Sequence, residues 1–185
     1  MTFSPDEIRE LLKAWFALSL AFTIIQVGIG SSIFANYFVI SGLTVGIAFL
    51  AHELSHKLLA QRYGCLAFFQ AFNWGLILAV AGSFFGFIFA APGAVMIAGV
   101  VSGEENGKIA AAGPFINLIL AMAFWLLANV FGQNILFSAG FQINAWLAFF
   151  NLLPFWQLDG LKVMNWDTKV WGILIALAGV LTFLV

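Results

Sequence analysis

In the segment His52-Glu53-Leu54-Ser55-His56, three ionisable side chains stand directly after a run, residues 38–51, that carries no charge. An ionisable residue inside a membrane-embedded run costs at least ~2.5 kcal/mol and by default marks a functional site. Two histidines at i and i+4 lie one turn apart on one helix face, so a ring nitrogen of each can reach a common metal ion. Glu53 sits beside that face, where a carboxylate can take a proton from water that a metal has acidified. These are the only two histidines in 185 residues. The bland alternative is a pair of interfacial polar residues at a helix end; the uncharged run before them favours zinc chemistry.

A catalytic zinc site takes three protein ligands and keeps one position open for water. The histidines are spent and Cys65 is a single cysteine, so the third ligand is sought among the carboxylates Asp6, Glu7, Glu10, Glu104, Glu105, Asp159 and Asp167. Asp6, Glu7 and Glu10 cap an amphipathic start, and Glu104 and Glu105 fall in a polar loop. Asp167, between Trp166 and Thr168, reads as the N-cap of a last helix. Asp159 alone follows directly on an apolar run, residues 145–158. His56 precedes Arg62 by six residues and Asp159 precedes Lys162 by three, so at ~1.5 Å rise per residue both lie within roughly 10 Å of one basic interface. Asp159 is therefore the predicted third ligand, the alternative being a plain helix terminator before Gly160. Pro154 lacks an amide proton and breaks the helix, letting residues 154–158 unwind toward the metal. Asn151 and Gln157 are at hand for the freed backbone groups.

The elements that position these groups belong to a membrane protein. The chain is 63% hydrophobic and 8% charged, against ~25% charged residues in a soluble domain, and cannot cover a water-facing surface of its size. A net charge of −1 gives no argument for nucleic acid, and one cysteine makes no intrachain disulfide. Acidic Asp6, Glu7 and Glu10 beside Arg9 and Lys13 do not match the start of a cleavable signal peptide. The pattern predicts an all-α polytopic membrane protein of five to six hydrophobic spans, with a short membrane-associated β-strand or re-entrant hairpin near residues 68–101. It forms a single domain, residues 1–185, with a core at about 37–165.

Ser4-Pro5-Asp6-Glu7 reads as a helix start with Ser4 as N-cap and Glu7 completing a capping box. The first span follows at about 14–30. After a loop at 28–36, the second runs from about 37 to 64 and carries the histidines. A Gly-punctuated apolar stretch covers 68–91, and Gly93 to Val101 suits a short strand. Residues 102–108 read as the most polar loop, and further spans begin near 113 and 142, the latter broken at Pro154. The last span covers about 169–185. Placing Arg9, Lys13, Lys57, Arg62, Lys108, Lys162 and Lys169 on one cytoplasmic face requires residues 68–91 to return to the side they left, which puts the active site toward the cytoplasmic side.

With these motifs in hand, the chain resembles the site-2 protease family of intramembrane zinc metalloproteases. That family pairs an HExxH span with a later span bearing an Asn-x-x-Pro-x-x-Pro-Leu-Asp-Gly pattern, here Asn151-Leu152-Leu153-Pro154-Phe155-Trp156-Gln157-Leu158-Asp159-Gly160. Ala112-Gly113-Pro114-Phe115-Ile116-Asn117 is similar to the family's small-Gly-Pro-x-x-Asn entry to the intervening span. Gln157 stands where the family usually has proline and Leu161 where a second glycine is common, which bears on the local backbone path. An inserted regulatory domain is lacking, as in the minimal members. The resemblance implies that His52, His56 and Asp159 ligate one Zn²⁺ per chain and that Glu53 is general base and acid. It also implies that Asn151 steadies the active site or the scissile carbonyl, and that residues 93–101 hold an extended substrate. Asn117 has packing among Ala111, Ala112 and Gly113 as its other reading.

The function expected is an intramembrane zinc endopeptidase that cuts transmembrane segments of single-span membrane proteins within the lipid bilayer. The alternative is a non-proteolytic metal-binding transporter or channel, which an acidic relay across the spans would favour. A prenyl-protein type of peptidase would need a downstream glutamate ligand, and no glutamate follows residue 105.

Overall fold

The computed structural model describes residues 2–88 and 92–183. It is a helical bundle with one small sheet, in the order α1 (Pro5–Val27), α2 (Phe34–Ser41), a π-helical turn (Gly42–Gly46), α3 (Ile47–Arg62), β1 (Leu66–Ala71), α4 (Asn73–Ser83), β2 (Gly93–Ala98), α5 (Gly103–Phe131), α6 (Ile135–Asn151), α7 (Asp159–Trp166) and α8 (Thr168–Phe183). Three helices are long and apolar enough to cross a membrane: Pro5–Val27, the continuous Phe34–Arg62, and Gly103–Phe131. Asn73–Ser83, Ile135–Asn151 and Thr168–Phe183 are apolar but fall short of the ~20 residues that a crossing takes. Of the five to six spans expected, three therefore have the length. Phe16, Val39, Ile77, Phe85, Trp146 and Ile173 expose large apolar side chains on the outside, a surface suited to lipid.

The hydrophobic stretch at 68–91 divides differently from the sequence reading. Its start belongs to β1, which pairs antiparallel with β2 from Leu66 opposite Ala98 to Ala71 opposite Gly93. The chain thus leaves the sheet through α4 and comes back to it, although residues 89–91 lie outside the described part. The polar segment 102–108 is the first turns of α5 rather than a loop. Ser102 accepts from the Glu105 amide and Glu105 accepts from the Ser102 amide, a capping box that makes a polar start stable. At the π-helical turn, Trp15 Nε1 donates to the Gly42 carbonyl at 3.0 Å. Side chains at Gly42 and Gly46 would collide with that indole, so the two glycines let α1 lie close to the helix just before the histidine motif.

Two apolar clusters frame the site. Leu11, Leu18, Val45, Phe49, Phe69 and Leu76 join α1, α3, β1 and α4. Leu118, Ala121, Ala145, Ala148 and Leu152 join α5 and α6 with Ala178 and Leu181 of α8, a small-residue interface of the kind that lets helices approach without a hydrophobic drive.

Glu7 departs from the expected capping role. Ser4 does accept from the Glu7 amide, but the Glu7 carboxylate turns inward, where its oxygens lie 2.6 Å and 2.5 Å from Lys57 Nζ. It also accepts from the Phe69 amide at 2.8 Å. Lys57, counted in the sequence among interfacial basic residues, is wholly buried and lies 4.0 Å above the Phe3 ring. One residue beyond His56, this pair ties α1, α3 and β1 together. Removing one partner of a buried pair typically costs 3–5 kcal/mol, because the other charge is stranded. Lys57→Met should accordingly lower the unfolding midpoint of the detergent-solubilised protein followed by circular dichroism. A midpoint at the wild-type temperature would mean that the pair is not the tie between these elements.

Candidate metal centre

His52 and His56 project from one face of α3, their rings 4.7 Å apart and nearly perpendicular. Each ring has one nitrogen anchored and one turned inward. His56 Nδ1 lies 2.7 Å from the Ile109 carbonyl; a carbonyl only accepts, so Nδ1 carries the proton and Nε2 keeps its lone pair. His52 Nδ1 lies 2.6 Å from Asn117 Oδ1. The inward nitrogens meet one oxygen: Asp159 Oδ2 lies 3.2 Å from His52 Nε2 and 3.1 Å from His56 Nε2. One ligand atom from each of His52, His56 and Asp159 can be chosen so that all lie within 4.8 Å of one another. Two imidazoles and a carboxylate are an ordinary donor set for a catalytic zinc, and the set can hold a metal ion.

The neighbouring helices explain how the chain brings these groups together. A Cβ at Gly113 of α5 would stand on the two imidazoles, so only glycine lets α5 press against them. Pro114, one residue on, has no amide proton to give the Ala110 carbonyl, and Ala110 and Ile109 both line the site. Asp159 comes from the first turn of α7. The segment before it leaves the helix after Asn151, and Trp156 takes a φ of 54°, a left-handed conformation that is rare outside glycine and costs ~1–3 kcal/mol. Gly160 then tucks against the Leu152 carbonyl, where a Cβ would overlap it. The unwinding inferred from Pro154 is present, but the Leu152 carbonyl is satisfied by Trp171 Nε1 at 2.8 Å. Asn151 instead bonds the Leu147 carbonyl of its own helix.

The side chains converge on a cavity of about 190 Å³ that also admits Glu53, Asn151, Gln157 and Lys162. Glu53 is buried, and its Oε2 accepts from the Val95 amide of β2 at 3.1 Å. Lys162 Nζ stands 3.6 Å from Asp159 Oδ1. Most of the other carboxylate candidates have partners elsewhere. Asp167 accepts from the Lys169 and Val170 amides and starts α8, as its sequence position suggested. Glu104 pairs with Lys108, and Glu10 with Lys13 and the Ala71 amide. Asn117 bonds across helices, to the Ala48 carbonyl and Asn144 Oδ1, as its packing reading expected, and it also meets His52, which the sequence did not indicate. The sequence reading missed Lys57 and Asn144. Asn144 had a signal, a polar side chain among Gly140, Phe141, Leu147 and Ala148 on an apolar helix face that must find a partner in protein.

Fold and site together join three helices able to cross a membrane to a group, His52, His56 and Asp159, that could hold a metal ion in one cavity with the Glu53 carboxylate. No family model and no solved structure matches the chain. A protein of Methanocaldococcus jannaschii that bears the name "Putative zinc metalloprotease" is 40% identical over 177 residues, which cover 92% of the chain and 90% of the relative. The chain belongs to the family of that zinc metalloprotease.

Two metal-binding predictions follow from the geometry. His52→Ala, His56→Ala and Asp159→Asn should each weaken zinc binding in chelator competition, whereas Asp167→Asn should not; sensitivity at Asp167 would remove Asp159 from the ligand set. Gly113→Ala should lower zinc affinity by about tenfold or more while the helical content is kept, because its methyl group displaces both imidazoles. Wild-type affinity in that variant would show that α5 does not press on the ligands.

Proposed function

We propose that the chain is an intramembrane zinc endopeptidase of the site-2 protease type, cutting transmembrane segments of single-span membrane proteins. The observation that carries this reading is the position of Glu53, in one cavity with the paired imidazoles and bonded to the strand that borders it. His52, His56 and Asp159 hold one zinc per chain. Zinc, when bound, acidifies a water molecule and polarises a peptide carbonyl. The Val95 amide occupies Oε2 of Glu53, leaving Oε1 to take the proton and later deliver it to the leaving amine. Asn151, on the cavity wall, steadies the scissile carbonyl.

A substrate helix hides its carbonyls in its own hydrogen bonds and must open locally before attack. The sheet offers an opened segment one edge. On the far side, the outward amides of β1 are taken: Phe69 N–H by Glu7 and Ala71 N–H by Glu10. Val95 stands opposite Phe69, so its amide also points out of the sheet, into the cavity. The β2 edge, with Gly93, Val95 and Ile97 on the cavity wall and the Val95 amide held by Glu53 itself, is where an extended substrate adds as a third strand beside the general base. The molecule crosses the membrane several times, with the cavity toward the cytoplasmic side where Arg62 and Lys162 lie.

Glu53→Gln should keep the zinc and abolish cleavage, since loss of a general base typically costs ~10²–10⁴-fold. The measurement is co-expression with a library of tagged single-span proteins, wild type against variant, with metal content determined on both. Cleavage by the variant above about a tenth of wild type would remove Glu53 from the proton-transfer role.

A further inference from the structure

The hydrogen bond that reaches His52 does not end at Asn117. Asn117 Nδ2 lies 3.2 Å from the Ala48 carbonyl and 2.9 Å from Asn144 Oδ1, and Asn144 Nδ2 lies 2.8 Å from the Gly140 carbonyl. Asn117 is 0% and Asn144 1% exposed. Two carboxamides stacked end to end therefore link the middle of α6, through α5, to a metal ligand on α3.

The protons in this chain can be placed from its far end, because a backbone carbonyl accepts and never donates. The Asn144 atom facing Gly140 is thus the nitrogen, and the one facing Asn117 is the oxygen. That oxygen and the Ala48 carbonyl both require a donor, so Asn117 turns its NH₂ toward them and its oxygen toward His52. An amide oxygen has no proton to give, so Nδ1 of His52 carries it and Nε2 keeps the lone pair that faces Asp159. His56 needs no such relay, since its partner is a backbone carbonyl that cannot flip. A side-chain amide can flip; the Ala48 carbonyl opposes this at 3.2 Å, and Asn144, itself anchored on Gly140, adds a shorter bond of 2.9 Å against it. Gly140 makes the anchor reachable: a Cβ there would run into the Phe124 ring, so glycine lets α6 close onto α5.

We infer that Asn144 is a positioning residue of the metal centre, fixing through Asn117 the tautomer and ring orientation of His52. The inference rests on His52 being a metal ligand; Asn144 itself touches neither the ligand atoms nor the cavity.

The test uses the full-length, untagged protein in detergent, labelled with ¹⁵N only in histidine. With two histidines in the chain, His56→Gln assigns the spectrum. Ring nitrogen shifts and couplings, recorded on metal-free protein at a pH where the imidazoles are neutral, report which nitrogen is protonated; chelator competition reports zinc affinity. Wild type should show His52 protonated at Nδ1. Asn144→Leu should bring in the Nε2-protonated form and weaken zinc binding about 10-fold or more, as loss of an outer partner typically does. Asn144→Ala serves equally where Asn144→Leu does not fold. In an Asn117→Leu background, where no amide links Asn144 to His52, adding Asn144→Leu should have no further effect on either readout. A wild-type His52 tautomer and zinc affinity within about twofold in Asn144→Leu would overturn the inference, as would an equal further loss in the Asn117→Leu background, which would mark a packing effect. A wild type that binds no zinc would overturn the metal centre itself while leaving the tautomer comparison to decide the relay.

Discussion

A polar side chain inside a lipid-facing bundle has no water to fall back on, and must be satisfied by protein. This constraint orders the whole molecule. Among the described residues, one buried side-chain polar atom, Thr182 Oγ1, has no hydrogen-bond partner. Lys57 is neutralised by Glu7, Glu7 also closes the Phe69 amide, and Asn117 answers His52, Ala48 and Asn144 together. Each of these bonds joins elements far apart in the chain, so meeting the demand for partners also sets how the helices are arranged. The two imidazoles and Asp159 are the same logic carried to a cluster that could hold a cation.

Partner satisfaction requires close approach, and the backbone supplies it where side chains would obstruct. Gly113 brings α5 onto the imidazoles, Gly140 brings α6 onto α5, and Gly160 lets the start of α7 settle against Leu152. Proline does the complementary work: Pro114 removes a donor next to the carbonyl that holds His56, and Pro154 ends the α6 path so that Asp159 arrives from a separate helix. The Gly-Pro and Asp-Gly pairs of the sequence are thus places where the main chain must touch something.

Much of the site was readable in advance because it violates its surroundings. A histidine pair or an aspartate after an uncharged run stands out without any structure, and elimination among the carboxylates pointed to Asp159, the one that meets the histidines. Local signals were less reliable where the environment reverses their usual meaning. Residues 102–108 look like a loop by polarity, although Ser102 and Glu105 spelled out a helix start. Leu66–Ala71 buries alternate residues, yet its sequence is almost uniformly apolar, since the outward side chains do not face water, and so the period of two was invisible. Glu7 and Lys57 are fifty positions apart, and no pattern in either neighbourhood names the other. The contribution of Asn144 is of the same kind, a long-range bond carried by a residue whose own helix gives no hint of direction.

Glu7 and Glu10, placed along the free side of β1, have a meaning beyond this one molecule. A strand with unclaimed amides is a template on which a second chain can grow, and proteins protect such edges to avoid aggregating. Membranes hold their proteins at high local density and in fixed orientation, so an unprotected ribbon would meet copies of itself often. The two carboxylates act as insulation on that side, while on the other margin the Val95 amide is held by Glu53. Two occupied amides thus make that margin of the ribbon a poor template for a copy of itself.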